Sequence, residues 1–294
     1  MIARGRFDLP LPGGRVLELG ERPLVMGILN VTPDSFADPT HILGVEQAVA
    51  AAVRMEADGA DLIDVGGEST RPGADPVEAV EERNRVLPVI DALRRRVRIP
   101  LSIDTSKADV AREALRAGAA MVNDVTGLQH DPSLAAVAAM AGAPLILMHM
   151  RGRPKTMDGE AVYGDVVDDV VLELKRSIDR AIAAGVPREH LVLDPGIGFA
   201  KRAPHSYGLL ARLPELARLG RPLLVGPSRK SFMREALGGR PAHERDWGTA
   251  AAVTTAVING AHIVRVHAVA EMVQVVRVAE EIRLRMPSAI SHQP

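Results

Sequence analysis

Eight short apolar runs in this chain each lead into a polar residue and a turn. LVMGIL ends at Asn30, DLIDV carries Asp64, IPLSI ends at Asp104 and AAMV at Asn123. PLILM leads to His149, LVL to Asp194, RPLLVG to Ser228 and AHIV to Arg265. Asp104, Asn123 and Asp194 could each be a helix N-cap. Converging on one pocket, they would instead suit a flat heterocycle bearing several N–H groups. A carboxylate accepts two parallel hydrogen bonds from an N–H and an adjacent amine, and a mismatched ring leaves buried groups unpaired.

The turns after these runs carry further chemistry. Asn30-Val31-Thr32-Pro33-Asp34-Ser35-Phe36 displays an amide, a hydroxyl, a carboxylate and a ring together. It reads as a turn, or as a Mg²⁺ site in which one neutral oxygen shares the ion with waters and substrate phosphates. In Asp64-Val65-Gly66-Gly67-Glu68-Ser69-Thr70-Arg71-Pro72, the glycines allow close backbone approach and Thr70 and Arg71 suit a phosphate or carboxylate. Gly226-Pro227-Ser228-Arg229-Lys230-Ser231 is either a surface Lys-Arg pair or a buried loop of the kind that holds phosphate after the seventh strand of a barrel. Arg265 and His267 alternate, so both point the same way from a strand end, towards an anion or a salt-bridge partner. His149 reads equally as a satisfied core histidine or a catalytic one. No Walker loop, dinucleotide fingerprint or HExxH motif is present.

Elements that put all strand ends on one face must lie behind this pattern. Strands are expected at 24–29, 61–65, 100–103, 119–123, 144–148, 191–193, 222–226 and 262–266, with helical stretches between them. That alternation predicts an α/β fold, a (β/α)8 TIM barrel of about 250 residues. Residues 1–20 alternate around Pro12-Gly13-Gly14 and predict an N-terminal β-hairpin plugging one barrel end, with the barrel over 21–294. In the helix expected over 76–96, Asp75 is the N-cap with Pro76 in the first turn, and Val77, Val80, Leu87, Ile90 and Leu93 form the apolar stripe. In 268–285 the stripe is Val269, Met272, Val273, Val276 and Ile282. The polar stretch 234–248 breaks the rhythm and reads as an extra loop or helix. Long loops at 30–43 and 149–162 are candidate lids.

Composition narrows the partners. The 294 residues carry a formal charge of −1 and only 2% aromatics, which argues against nucleic acid. There is no cysteine, so disulfides and thiolate metal sites are excluded and a reducing cytoplasm is expected. No run of the length and apolarity of a membrane span occurs, and the N-terminus has no signal-peptide character.

The motifs GILNVTPDSF, DVGGESTRPGA, SIDTSKADVA, NDVTG, LMHMRGRPKTM, LDPGIGFAK, SRKSF and VRVH stand in the order found in dihydropteroate synthases. The resemblance spans about 24 to 282. It implies a TIM barrel that condenses 6-hydroxymethyl-7,8-dihydropterin diphosphate with 4-aminobenzoate, using Mg²⁺, as a cytoplasmic homodimer in folate synthesis. Carried over by motif, Asp104, Asn123, Asp194 and Lys230 look like the pterin set, with Met148 in the pocket wall and Asp64 in its floor. Asn30 resembles the Mg²⁺ ligand. Asn30, Arg265 and His267 resemble the diphosphate site. Phe36, Thr70, Arg71, Pro72, Phe199, Lys230 and Ser231 resemble the aminobenzoate site. Asp38, Lys230, Arg265 and His267 are the catalytic candidates, in an SN1-like displacement. Two departures stand out. Ala37-Asp38-Pro39-Thr40 replaces the family's glycines after the first-loop Ser-Asp, and Ala268 replaces an Asp after the RxH pair. A pterin-barrel methyltransferase, or a pterin-binding paralogue without catalysis, are the rival readings.

Overall fold

The computed structural model describes residues 4–31, 42–69, 73–153, 155–157 and 159–287. β1 (Phe7–Leu11) and β2 (Arg15–Leu19) form an antiparallel hairpin in which Phe7 faces Leu19 and Leu11 faces Arg15. Eight parallel strands follow: β3 (Leu24–Asn30), β4 (Leu62–Gly66), β5 (Leu101–Asp104), β6 (Met121–Asp124), β7 (Leu145–Met148), β8 (Leu191–Asp194), β9 (Leu224–Val225) and β10 (Ile263–Val266). Their order is β8-β7-β6-β5-β4-β3-β10-β9, and a parallel bridge from Leu193 to Leu223 joins β8 to the start of β9. The sheet thereby meets itself as an eight-stranded barrel, as the alternation of elements predicts. Around it lie α1 (Ile42–Ala57), α2 (Ala79–Leu93), α3 (Ala108–Ala117), α4 (Ser133–Ala141), α5 (Val166–Ala183), α6 (Ala203–Ala211), α7 (Asp246–Ile258) and α8 (Val269–Arg285).

The two-residue period of a strand divides each run between two environments. One phase faces the helices: Ile63, Val65, Ile103, Val122, Leu147, Leu193 and Val264 belong to the large cluster beneath them. The other phase faces the barrel axis. Its lower layer, Met26, Leu62, Met121, Ile146, Val192, Leu224 and Ile263, packs against Leu9, Leu11 and Leu19 of the hairpin, which plugs that end. Ascending the same phase by two residues brings Asp64, Asn123, Met148, Asp194 and Arg265 to the opposite mouth. Apolar burial thus sets the phase that aims the polar ring.

The segment before β1 is strapped to the last helix. The Arg4 guanidinium donates to both Glu280 oxygens at 2.9 Å, and Arg283 donates to the same carboxylate. α5 begins at a side-chain cap, Asp165 accepting from the Val167 and Asp168 amides.

Three local expectations are corrected. α2 starts at Ala79 after Glu78; Asp75 pairs with Lys155 instead of capping it. The buried face of α2 is Glu82, Val86, Val89, Ile90 and Leu93, leaving Val80 60% exposed. The helix starts later than the capping signal suggested; of the expected stripe, Ile90 and Leu93 are buried and Leu87 packs against the core, while Val80 is exposed. On α8, Val269, Met272, Val273 and Val276 are buried as expected, but Ile282 is half exposed and Ala279 continues the buried face. The stretch 234–248 is a tight turn, a 3₁₀ turn at Ala242–Glu244 and the start of α7.

Candidate active site

At the barrel mouth the strand ends bring most of the expected residues together. Arg265 stands at the centre. Its Nε donates to Asp64 Oδ2 at 2.6 Å and its Nη2 to Asp104 Oδ2 at 2.7 Å. Asn123 Nδ2 donates to the same Asp64 oxygen at 2.8 Å. Asp64 Oδ1 is buried with no hydrogen-bond partner among the described residues. Asp194 accepts from the Gly196 amide at 2.7 Å, which fixes its rotamer at the start of the following loop. Asp64, Asp104, Asn123 and Asp194 are all buried.

Lys230 closes the opposite side. Its stem runs across Gly198, where a Cβ would lie 3.3–3.5 Å from the lysine methylenes and where φ is +76°. The backbone there favours glycine for both reasons. The ammonium lies 3.4 Å from the centroid of the Phe199 ring, a cation–π contact. Phe199 packs with Met148, Met150, Met157 and Val125, which form an apolar wall. Ser231, at the start of a 3₁₀ turn (Ser231–Met233), is exposed beside this wall.

The electrostatics follow from burial. Three carboxylates face two cations. Burial pushes the Asp104 carboxyl up, and the Asp64 charge adds to this, while Arg265 opposes both. Burial likewise raises Asp194 to about 6, against the Gly196 amide and the Lys230 charge. The Lys230 ammonium is pulled down to about 7 by burial and by Arg265. Such a site favours a ligand that brings N–H donors to the carboxylates and an anion to the cations.

His267 sits beside this group and is oriented by Ser228. The Ser228 oxygen accepts from the His267 amide at 3.2 Å and lies 2.9 Å from Nδ1. That hydroxyl can give its proton to Nδ1 or accept from an Nδ1–H with its second lone pair, so the contact holds the ring in place in either tautomer. Ser228 thus holds this ring where Ala268 offers no carboxylate.

Asn30 ends β3 half-buried at the same mouth. Its side chain makes no hydrogen bond to another described residue, so its amide oxygen is an available ligand. The described residues contain no cluster of three His, Cys, Asp or Glu suited to a metal. Phe36, Asp38, Thr70, Arg71 and Pro72 lie outside the described residues. Of the two glycines expected to allow close approach to a ligand, Gly66 faces Asp104 at the mouth, whereas Gly67 is small because α2 packs against it, a Cβ there meeting Val86 at 2.7 Å.

Of the two readings of His149, the structure supports the core one, and the charged groups around it carry no signal in the sequence. His149 is a satisfied core histidine: Nε2 lies 2.9 Å from Glu173 and Nδ1 2.8 Å from Lys201 Nζ. Burial and the Lys201 charge push it down to about 4. Lys201 also donates to the Phe199 carbonyl at 3.0 Å, holding the loop that carries Phe199. Arg151 ties the described part of the 149–162 loop down to Glu173 and Asp169 of α5, and Met157 is buried against the apolar wall. Lys107 bridges Glu68 and Glu82 at 2.5 Å each, and Glu68 also accepts from the Val77 amide at 3.0 Å. One carboxylate thus binds the Val77 side of the β4–α2 loop and the start of α3.

Comparison with known proteins decides the family. Residues 26–267 match the family model described as pterin binding enzyme. A dihydropteroate synthase of Synechocystis sp. is 50% identical over 277 residues, covering 94% of this chain and 96% of the relative. The chain belongs to the dihydropteroate synthase family. Solved members share its architecture. The Yersinia pestis dihydropteroate synthase, in a sulfonamide drug complex, superposes with a TM-score of 0.88 at 46% identity, covering 95% of this chain and all of that one. The Xanthomonas albilineans dihydropteroate synthase with 4-aminobenzoic acid gives 0.87 at 43% identity, with the same coverage. As a dihydropteroate synthase this chain is a transferase of folate biosynthesis, and its reaction is the condensation that forms 7,8-dihydropteroate.

Proposed function

We propose that the chain joins 6-hydroxymethyl-7,8-dihydropterin diphosphate to 4-aminobenzoate by an SN1-like displacement, with the roles divided around Arg265. Asp104, Asn123, Asp194 and Lys230 hold the pterin, with Asp64 beneath and Met148 in the wall. The methylene C–O bond breaks and its electron pair leaves on the diphosphate. The electron-rich dihydropterin spreads the positive charge left on the methylene. The aniline nitrogen then attacks with its lone pair, forms the C–N bond and sheds one proton. Arg265 and His267 face the leaving diphosphate with donors fixed in advance by Asp64, Asp104 and Ser228. Positioning matters more than a strong base, because an aniline is already nucleophilic.

Asn30 offers a single neutral oxygen. That donor set fits Mg²⁺ shared with a substrate diphosphate better than a protein-only metal cage. When bound, Mg²⁺ would neutralise charge on the diphosphate oxygens. Phe199, Lys230 and Ser231 line the aminobenzoate side, together with Phe36, Thr70, Arg71 and Pro72. Asp38 is assigned to stabilising the cation or the incoming amine. We also propose that the protein is a homodimer acting in the cytoplasm. Val278, Ile282 and Trp247 are exposed apolar side chains on α8 and α7, and sedimentation velocity tests the dimer.

The observation that carries the reading is the double contact of Arg265 with Asp64 and Asp104, which joins the pterin carboxylates to the anion side. Arg265→Ala should lower kcat/KM for the pterin diphosphate by about 10²–10³, the cost of losing a preorganised charge donor. Unchanged turnover in that variant would remove the anion-site assignment. A methyltransferase would release no diphosphate in response to 4-aminobenzoate, so diphosphate release in the presence and absence of that amine separates the two activities.

A further inference from the structure

Lys230 is carried by a loop, and the residue before it is strained. Arg229 has φ = +57°, a conformation that few non-glycine residues adopt. Such strain persists only where the surroundings over-determine it. Here it is fixed on three sides, all from the start of α7. The Arg229 amide donates to Thr249 Oγ1 at 3.0 Å. The Arg229 carbonyl accepts from Arg245 Nη1 at 3.1 Å. The Arg229 side chain forms a two-point pair with Asp246, Nε to Oδ1 at 2.7 Å and Nη2 to Oδ2 at 2.8 Å.

The clamp is itself anchored. Thr249 is fully buried, and its hydroxyl donates to the Arg245 carbonyl at 3.1 Å. Arg245 is buried, and its Nε donates to the Arg240 carbonyl at 2.8 Å. Arg229 therefore does not face the substrates. Its backbone turn sends the Lys230 stem across Gly198 to Phe199.

We propose that Arg245, Asp246 and Thr249 are positioning residues that act through Arg229 to hold Lys230 and Ser231 in register with the aminobenzoate side of the site. The proposal rests on the reading of Lys230 as a substrate contact. It gives the polar stretch that interrupts the helix–strand rhythm a task, as the support of this loop. Asp104, Asn123 and Asp194 sit on strand ends outside the clamp. Lys230 also contacts the pterin in that reading, but the pterin keeps Asp104, Asn123 and Asp194 when Lys230 shifts, so loosening the clamp affects the amine substrate more.

The test is steady-state kinetics with both substrates varied, on folded protein checked by circular dichroism. Thr249→Val keeps the shape and removes the acceptor for the Arg229 amide. Asp246→Asn, at a part-exposed position, weakens the ion pair with little risk to folding. Each should raise KM for 4-aminobenzoate by about tenfold, the scale of one lost buried hydrogen bond. KM for the pterin diphosphate should move less than about threefold. Thr249→Ser retains the oxygen and should restore wild-type values. A role confined to stability would lower the active fraction, and hence kcat, leaving both KM values alone. That result, or no change in Asp246→Asn, overturns the proposal. Lys230→Met separates the underlying reading. If it leaves the 4-aminobenzoate KM unchanged, Lys230 is not a substrate contact and the clamp has nothing to act through. If it raises that KM while the clamp variants do not, only the clamp fails.

Discussion

The two sides of the barrel mouth are built differently. On the β4–β5–β6 side, Asp64, Asp104 and Asn123 project directly from strands whose phase is set by apolar burial. On the β9–β10 side, Lys230 and Ser231 hang from a loop that follows a strand of only two residues, Leu224–Val225. The first side needs nothing beyond the sheet. The second borrows Thr249, Arg245 and Asp246 from a helix, and Ser228 supports His267 across the gap. A site residue on a strand end inherits its geometry from the fold, whereas one on a loop requires its own support.

The largest expected effect lies on the strand side. Asp104→Asn removes a carboxyl acceptor and leaves Arg265 with one carboxylate partner. It should lower kcat/KM for the pterin diphosphate about 10³-fold, as sites built to pair a ligand's N–H groups behave. KM for 4-aminobenzoate should hardly change. If both KM values rose together, the two sides would not be separable and the comparison would break.

Ser228→Ala sharpens the other side. Without the hydroxyl, the His267 ring loses the contact at Nδ1 that holds it towards the diphosphate side. A loss of about tenfold in kcat, with little change in either KM, is expected from one hydrogen bond of positioning. A rise in the 4-aminobenzoate KM instead would mean that Ser228 belongs to the Lys230 support.

How much of this was legible follows from the same division. The strand-borne set could be read because a period of two turns an apolar pattern into a direction, so Asp104, Asn123 and Asp194 were found with their neighbours. The loop that carries Lys230 and Ser231 stands out as a surface pair or a phosphate-holding turn, but their roles come only from resemblance to the family. Arg245, Asp246 and Thr249 gave no such signal, because their partner lies 16 to 20 residues back and no periodicity links them. A polar stretch that interrupts a barrel's rhythm was the one available hint. Helix phase was less legible than strand phase. On α2 the fully buried Glu82, held by Lys107, occupies the core face where an apolar residue was expected.

The pH dependence offers a smaller effect that also distinguishes the sides. Asp194 is raised to about 6 by burial, so its carboxylate form falls away below that pH. Asp104 is raised as well, to about 7, so pterin affinity should weaken as pH drops from about 7 towards 5, by up to about tenfold per unit for each carboxyl that takes up a proton. Isothermal titration with a pterin ligand measures this, and Asp194→Asn should make the limb shallower below about pH 6 while the part due to Asp104 stays. The 4-aminobenzoate side has no carboxylate of this kind among its described residues, so its KM should not share the limb.

The smallest effect concerns a buried group that neither side uses. His149 is held neutral at about 4, against an ordinary value of 6.5. In the unfolded chain it takes up a proton first, as pH falls through 6.5. The unfolded state then binds more protons than the folded one, so stability rises with pH across that window and is lost on the acid side. His149→Gln keeps a donor for Glu173 and removes the titration. Its melting temperature should drop slightly at pH 7, and the gap to wild type should narrow between pH 6.5 and 4, because only the wild type carries the histidine's acid penalty. Turnover at pH 7 should stay within about twofold, since one ring nitrogen meets Glu173 and the other Lys201, neither of which belongs to the proposed substrate sets. A turnover loss on the scale of Ser228→Ala would place His149 among the residues that hold the Phe199 loop in register, and would extend the borrowed support from β9–β10 to β7–β8.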